Sequence, residues 1–547
     1  MVKTQPTESA ARPSYHLSKR QRRFAINVLL LVACLSVFVM SFNRVIGYED
    51  DVERNYFSIQ GALPVPVLEM RPQRGETSLV AIVAHGFAGS KDLMTSFGAE
   101  LARAGITAYL LDFPGHGQSR VAMADEPSSQ KSNQQNVAAI DEVVDYARMH
   151  NSATKTPHIV LVGHSMGSAA VGDYVMAHAN DDDIVGTILV SPVKQENLVP
   201  TWPKNLLLLA GQNDISSAII NSQRMLQQGC GWTAAKPLPA ECGKPADGTG
   251  RRAVILPGQS HITILNASST FQEMITWLGR VSPREVNTTQ MQSDLRLFWL
   301  LLGALSILCA IVPLCSLLVN IFKIGPAPAP LRGLDVFIYG ICLLLGIAAS
   351  LSIQSFWQPF AFLNIRIADY VIGYFFFTGL ITGLLIFLVR HIWPVPPLHQ
   401  VISQVLIGVL ISAFLYFTFG QLETFAWQRV TLNMPRLWRF GVMFLLVLPL
   451  FLLDANVTRG YQERGLIRGV LVSLAFKGLL VAGLFVSLLF LPGLSFLSII
   501  LPILIILFLV LIIFSTQLYA SGHAAIAAAI LSAFILAWSM ATTFPLT

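Results

Sequence analysis

The sequence predicts two units of different class: an α/β unit with a mostly parallel sheet and helices on both faces, then a polytopic α-helical membrane unit. Three observations carry this. Between about residues 60 and 285, short apolar runs alternate with amphipathic stretches, the pattern of a parallel sheet covered on both sides. After Leu297 almost every residue is apolar. Ahead of both lies the uncharged run Phe24–Phe42, close to the length that crosses a bilayer. The chain of 547 residues is 53% hydrophobic and only 12% charged, with mean hydropathy +0.59. That balance excludes an ordinary soluble chain. The expected division is a basic cytoplasmic tail (1–23), an anchor (24–42), an extracytoplasmic α/β unit (43–296) and a membrane unit (297–547).

Within the α/β unit the expected strands are Leu79–Ala84, Thr107–Asp112, His158–Val162, Gly186–Val190, Leu206–Ala210 and Ala253–Leu256. Leu93–Ala104 and Val137–His150 have helical periodicity. About 230 residues suffice for one core.

The anchor follows Lys19, Arg20, Arg22 and Arg23. Positive charge there keeps the N-terminus in the cytoplasm and sends the next segment out. A cleaved signal peptide has a shorter apolar core. Leu31–Cys34 fits a lipoprotein cleavage pattern, but the apolar run continues past Cys34, as in an uncleaved anchor. About eight further spans are expected, near 297–322, 334–354, 370–389, 401–420, 437–453, 468–490, 493–515 and 522–543. The cytoplasmic loops would then be 323–333, 390–400, 454–467 and 516–521. They hold Lys323, Arg332, Arg390, Arg459 and Arg464, with Arg468 at an edge. Arg429 and Arg436, in the outer loop 421–436, count against this orientation. The net charge of +6 is accounted for largely by flanking residues of this kind and needs no nucleic-acid partner. The expected setting is a bacterial cell membrane.

Cys230 and Cys242 are the two cysteines of the α/β unit; the other four fall in expected spans. An oxidising compartment would pair them, closing a short loop worth about 2–3 kcal/mol in the chain-entropy picture. The alternative is two reduced thiols on a surface loop.

The chemistry centres on Gly163-His164-Ser165-Met166-Gly167, between an apolar strand and a small-residue helix. A sharp strand-to-helix turn would expose the Ser165 hydroxyl, with Gly163 and Gly167 allowing close approach of the neighbouring backbone. A serine hydroxyl needs a base, and the base an orienting acid. Asp214 follows one apolar strand and His261 another, in the order Ser, acid, His. The oxyanion amides would be those of Met166 and Phe87, the latter from the loop "AHGFAGSK". His85 is expected to brace that loop, and Asp112 and His116 to brace the loop "DFPGHGQS". His164 is expected to point away from the base. His158 is expected to be structural.

Together "AHGFAGSK", "DFPGHGQS", "GHSMGS", "GQND" and "PGQSH" resemble the α/β-hydrolase superfamily, its lysophospholipase, monoacylglycerol lipase-like and serine aminopeptidase-like members above all. The resemblance spans about residues 60–285. It implies Ser165 as nucleophile, His261 as base, Asp214 as orienting acid, and Phe87 and Met166 as oxyanion donors. No cofactor or metal is expected. Two departures stand out. Ser168 replaces the second glycine common after the elbow. The segment Ser191–Lys204 is too short for a helical cap, so the pocket would be shaped by the insertion 215–251, by the membrane surface or by the helical unit.

Lys477 falls mid-span, where an ionisable residue signals either function or a bond inside the bundle. His523 falls near a span end, an interfacial position. The function expected is a membrane-integral serine hydrolase of carboxylic esters, with a lipid-like substrate and the bilayer as partners. Amide or peptide hydrolysis is the alternative within catalysis. A transporter, sensor or envelope-assembly protein with a non-catalytic hydrolase-like unit is the alternative outside it.

Overall fold

In the computed structural model the described residues are 18–73, 77–126, 129–150, 157–193, 195, 198–282, 286–288, 295–324, 336–390, 397–426, 429–490, 497–522 and 524–547. The six expected strands all form, as β3 (Leu79–Ala84), β4 (Thr107–Leu111), β5 (His158–His164), β6 (Ile184–Val190), β7 (Leu206–Asn213) and β9 (Arg251–Ser260). Three more were not expected: β1 (Val52–Ile59), β2 (Val65–Pro72) and β8 (Ala240–Cys242). The sheet order is β1-β2-β4-β3-β5-β6-β7-β9-β8. The strands from β4 to β9 run parallel. The β1–β2 hairpin joins antiparallel at β4, and β8 antiparallel at β9.

Strand alternation divides the apolar side chains between two layers. Leu79, Ala81, Val83, Val160 and Val162 pack with Phe97 and Phe271 from α2 (Thr95–Arg103) and α6 (Ser268–Val281). Val80, Ile82, Ile159 and Leu161 pack on the other face. That face is covered by α3 (Gln130–His150), α4 (Met166–Ala177) and α5 (Ser216–Gly229). Both faces of the central strands are thus dry, which is why these strands read as unbroken apolar runs.

Nine helices among the described residues are long and apolar enough to cross a membrane. They include α1 (Lys19–Ile46), longer at both ends than the expected 24–42, and α7 (Arg296–Ile321), which pack along each other. The α/β unit therefore leaves and re-enters the helical half at one place. The others are α8 (Val336–Phe356), α9 (Ala368–Arg390), α10 (Leu398–Phe417) with the short α11 (Phe419–Ala426), α12 (Met434–Gln462), α13 (Leu466–Phe490), α14 (Leu497–Gly522) and α15 (Ala525–Thr543). Arg332 and His523, most of the expected loops 323–333 and 390–400, and the tail before Ser18 lie outside the described residues.

The expected loop 454–467 is corrected. α12 continues to Gln462, leaving a turn of Glu463–Gly465 before α13. Asp454 and Arg459 ended the apolar run in the sequence, yet both are buried in the bundle. Asp454 accepts a 2.7 Å hydrogen bond from Lys477 Nζ, so the mid-span lysine is ion-paired. Arg459 donates to Ser473 and Thr516. A buried ion pair satisfies charges that neither helix could carry alone.

The outer-loop arginines also have partners. Arg429 pairs with Asp92 at 3.3 Å. Arg436 lies in the first turn of α12, is buried, and bonds the α/β unit. Arg296 at the head of α7 meets Glu49 at 2.5 Å and Thr95 at 3.0 Å. Arg366 pairs with Glu126. These cations fasten the two halves together, which accounts for their place in loops where a charge count alone would not put them.

Candidate active site

Ser165 sits between the last residue of β5 and the first of α4, at φ 52° and ψ −117°. A non-glycine residue with positive φ is strained, and such strain collects at functional turns. The turn is held because its neighbours are small. A Cβ on Gly167 would lie 2.6 Å from the carbonyl oxygens of Ala84 and His85, and one on Gly163 would strike the Gly167 carbonyl. Ser168 adds a tie: its hydroxyl donates to the Ser165 carbonyl at 2.6 Å and accepts from the Val193 amide at 2.9 Å. The residue that departs from the usual second glycine thus stitches the elbow to the loop after β6.

Asp214 follows β7 directly and His261 follows β9 directly. The structure brings both to Ser165. His261 Nε2 is 3.0 Å from Ser165 Oγ, and His261 Nδ1 is 2.6 Å from Asp214 Oδ1. Asp214 is buried, with the Ile215 amide at 2.7 Å on Oδ1 and the Ser191 hydroxyl at 2.5 Å on Oδ2. Burial pushes its carboxyl up, but the bonds from His261, Ser191 and Ile215 outweigh that and hold it below the ordinary carboxylate range. Ser191, itself at φ 50°, carried no sequence signal. A serine after a strand is common, and its role depends on β6 and β7 being neighbours.

Met166 is the first residue of α4, where an amide has no intrahelical acceptor. The loop carrying Phe87 lies beside the serine: a Cβ on Gly86 would stand 3.1 Å from Ser165 Cβ and 2.8 Å from His164 Nδ1. The Phe87 ring packs on both the sheet core and the core of the helical half, and meets His116 edge to face.

The brace residues are where the sequence put them. The Phe113 amide donates to His85 Nε2 at 3.1 Å, which leaves the His85 proton on Nδ1, 2.7 Å from the Gly86 carbonyl. Asp112 accepts from Lys91 Nζ at 2.5 Å and from the amides of Lys91 and Gln118 at 2.7 and 2.8 Å. His116 Nδ1 bonds the Pro114 carbonyl at 2.8 Å. Burial lowers the pKa values of His85 and His116 to about 4 and about 3, so both stay neutral.

His164 is a correction. It does not point away from the base; its Nε2 is 3.1 Å from the His261 carbonyl and the two rings lie 4.9 Å apart. The reason is strand parity. His164 shares a face with Val160 and Val162, the face of α6, and the His261 loop descends into α6 on that side. Burial first, then the neighbouring His261, lower its pKa to about 3.

Cys230 and Cys242 are joined in a disulfide, Cα atoms 6.0 Å apart. Cys242 pairs with Arg251 at the start of β9, the end opposite His261. The disulfide end of the insertion therefore lies away from the site, whereas its first residue, Ile215, adjoins Asp214, and its α5 packs on the sheet as an ordinary layer helix. The helical half does reach the site's surroundings: Leu546 bonds Gly115 and Met123 through backbone groups at 2.8 and 2.9 Å.

The sheet order, with a serine elbow after β5 and an acid and a histidine beyond β7 and β9, decides the architecture. The sheet-bearing unit has the α/β-hydrolase fold. Residues 75–223 match the family described as serine aminopeptidase, S33, a stretch that includes Ser165 and Asp214 and ends before His261. No curated protein matches the chain. Among solved structures, a cold-adapted esterase from an Arctic intertidal metagenomic library is 14% identical, covering 44% of this chain and 96% of that one at TM-score 0.30. Dienelactone hydrolase from Anabaena variabilis is 14% identical, covering 43% and 100% at TM-score 0.30. A soluble variant of monoglyceride lipase from Saccharomyces cerevisiae is 12% identical, covering 42% and 94% at TM-score 0.30. Among the described residues no cluster of His, Cys, Asp or Glu could hold a metal ion.

Proposed function

We propose that this chain is a membrane-integral serine hydrolase that cleaves carboxylic esters at the extracytoplasmic face through an acyl-enzyme. The hydrogen-bonded path from Asp214 through His261 to Ser165 Oγ carries the reading. His261 Nε2 takes the Ser165 proton as Oγ attacks the ester carbonyl, and Asp214 steadies the imidazolium that forms. The carbonyl oxygen, now anionic, is received by the amides of Met166 and Phe87. Collapse expels the alcohol, which leaves with the proton from His261. Water then repeats the sequence on the acyl-serine and releases the acid. These steps call on no cofactor. Ile215 and Ile262, the residues next to Asp214 and His261, are 48% and 42% exposed, an apolar rim suited to a lipid-like acyl group delivered from the bilayer.

Orientation belongs to the same proposal. Lys19, Arg20, Arg22 and Arg23 at the head of α1 favour a cytoplasmic N-terminus, and the Cys230–Cys242 disulfide favours an oxidising compartment for the hydrolase unit. Amide hydrolysis is the second reading, favoured by the match to a family described as serine aminopeptidase; the same groups serve both.

The test is a fluorophosphonate, which should label Ser165 in the full-length protein and fail on Ser165→Ala. A panel of acyl esters and aminoacyl amides then separates the two readings. An unlabelled wild-type protein would end the proposal in both forms.

A further inference from the structure

A crevice of about 300 Å³ lies in the helical half, between α7, α14 and α15, with α10 and α11 behind it. It sits at the small end of the range of ligand sites. Its position along the helices follows from the attachment of the hydrolase unit. α7, α12 and α14 begin on the hydrolase side, so α15 ends there, at the Phe544 carbonyl held by Arg436. The lining runs along α14 from Ile503 to Phe514, about 16 Å at the helical rise. Ile503 and Ile506 are 61% and 63% exposed, so the crevice opens sideways to lipid.

The walls are apolar except at the hydrolase end. There stand Glu423 from α11 and Ser539, Thr542 and Thr543 from the last turns of α15. Thr542 donates its hydroxyl to the Trp538 carbonyl. Ser539 and Thr543 are four residues apart and share a helix face. Glu423 is half-buried and has no hydrogen-bond or ion-pair partner among the described residues, and no basic side chain lines the crevice. Every other acidic side chain named above has a partner. Asp454, in the same bundle, has a lysine. A carboxyl facing an apolar, lipid-open space costs several kcal/mol if ionised and unpaired.

We propose that this crevice binds a single-chain amphiphile with a primary ammonium head, entering from the bilayer with its alkyl chain along α14. The ammonium has three donors. Glu423 supplies a charged acceptor for one, and the hydroxyls of Ser539 and Thr543 supply acceptors for the others. The site is separate from Ser165 and does not depend on catalysis there.

The test uses the full-length protein in phosphatidylcholine nanodiscs and a long-chain alkylamine carrying a diazirine. Photolysis should modify peptides of α14 and α15. Dodecylamine should compete about tenfold better than dodecanol, as a charge-assisted bond requires. Glu423→Gln should lower labelling by a similar factor. Ile506→Trp, which fills the crevice and leaves Glu423 in place, should abolish it while fluorophosphonate labelling of Ser165 is unchanged. Equal competition by dodecanol, full labelling of Glu423→Gln, or modification outside these helices would each overturn the proposal.

Discussion

Arg436 donates to the carbonyl of Gly115 at 3.0 Å across the junction of the two halves, and the same guanidinium holds Ala541 and Phe544 at 2.6 and 2.8 Å. Gly115, at φ 77°, lies in the loop that also contains Phe113 and His116. That loop is tied through His85 and through the Asp112–Lys91 pair to the segment carrying Phe87. Substitution of Arg436 by Ala leaves the carbonyls of Ala541 and Phe544 without that donor, at about 1–3 kcal/mol each, while the Gly115 carbonyl keeps the Leu546 amide. It should lower the melting temperature and slow fluorophosphonate acylation of Ser165 by roughly tenfold. Arg436→Lys should recover part of both. Acylation at the wild-type rate in Arg436→Ala would mean that the oxyanion loop stands without the helical half.

Ser191 offers a sharper test of the acid. Its hydroxyl bonds Asp214 Oδ2 at 2.5 Å and helps hold that carboxyl low. In Ser191→Ala the carboxylate loses a donor and draws the proton on its pair with His261 more strongly, so the acid limb of the pH–rate profile, which marks protonation of that pair, should move to higher pH. The rate constant kcat should fall roughly tenfold, the worth of one bond to a charged group, with KM little changed. An unmoved acid limb would show that Ser191 plays no part in tuning Asp214.

His85, His116 and His164 predict a pH dependence of stability. All three are buried, with pKa values lowered to about 4, 3 and 3 against about 6.5 in an unfolded chain. Below about pH 6.5 the unfolded chain binds protons that the folded one refuses, so stability falls as pH falls. The window runs from about 6.5 down to the folded values, with a limiting slope of about 1.4 kcal/mol per pH unit for each group. The melting temperature of the hydrolase unit should drop between about pH 7.5 and pH 5. It should drop less in His116→Asn. A flat profile would mean that these rings titrate normally.

Orientation can be read with single cysteines at Asp182 and Arg464, both exposed, after replacing the four free cysteines Cys34, Cys309, Cys315 and Cys342. An impermeant maleimide should reach position 182 in intact cells and position 464 only after permeabilisation. The reverse pattern would put Ser165 in the cytoplasm.

What the sequence made legible follows from what buries each element. β3 and β5 are covered on both faces and announce themselves as "LVAIVA" and "HIVLVGH". β1 is "VERNYFSI", largely exposed along its middle, and β2 carries Pro66 and Pro72, features that argue against a strand. Ser165, Asp214 and His261 were readable because each ends a strand in a fixed order. Ser191 and the reversed direction of His164 depend on which strands are neighbours and which face a side chain takes. The last turns of α12 were hidden because Asp454 and Arg459 look like loop residues until their partners on α13 and α14 are known.

On the membrane-integral reading proposed above, the Asp454–Lys477 bond also constrains how the chain enters the bilayer. α12 and α13 are joined by Glu463–Gly465 alone. Either helix inserted by itself would carry an ionised side chain into hydrocarbon, at about 2.5–3.5 kcal/mol on translocon scales. Delivered together, the two helices present a neutral pair. The consequence expected of that reading is release from the translocon as one hairpin, with α12 retained until α13 has emerged from the ribosome.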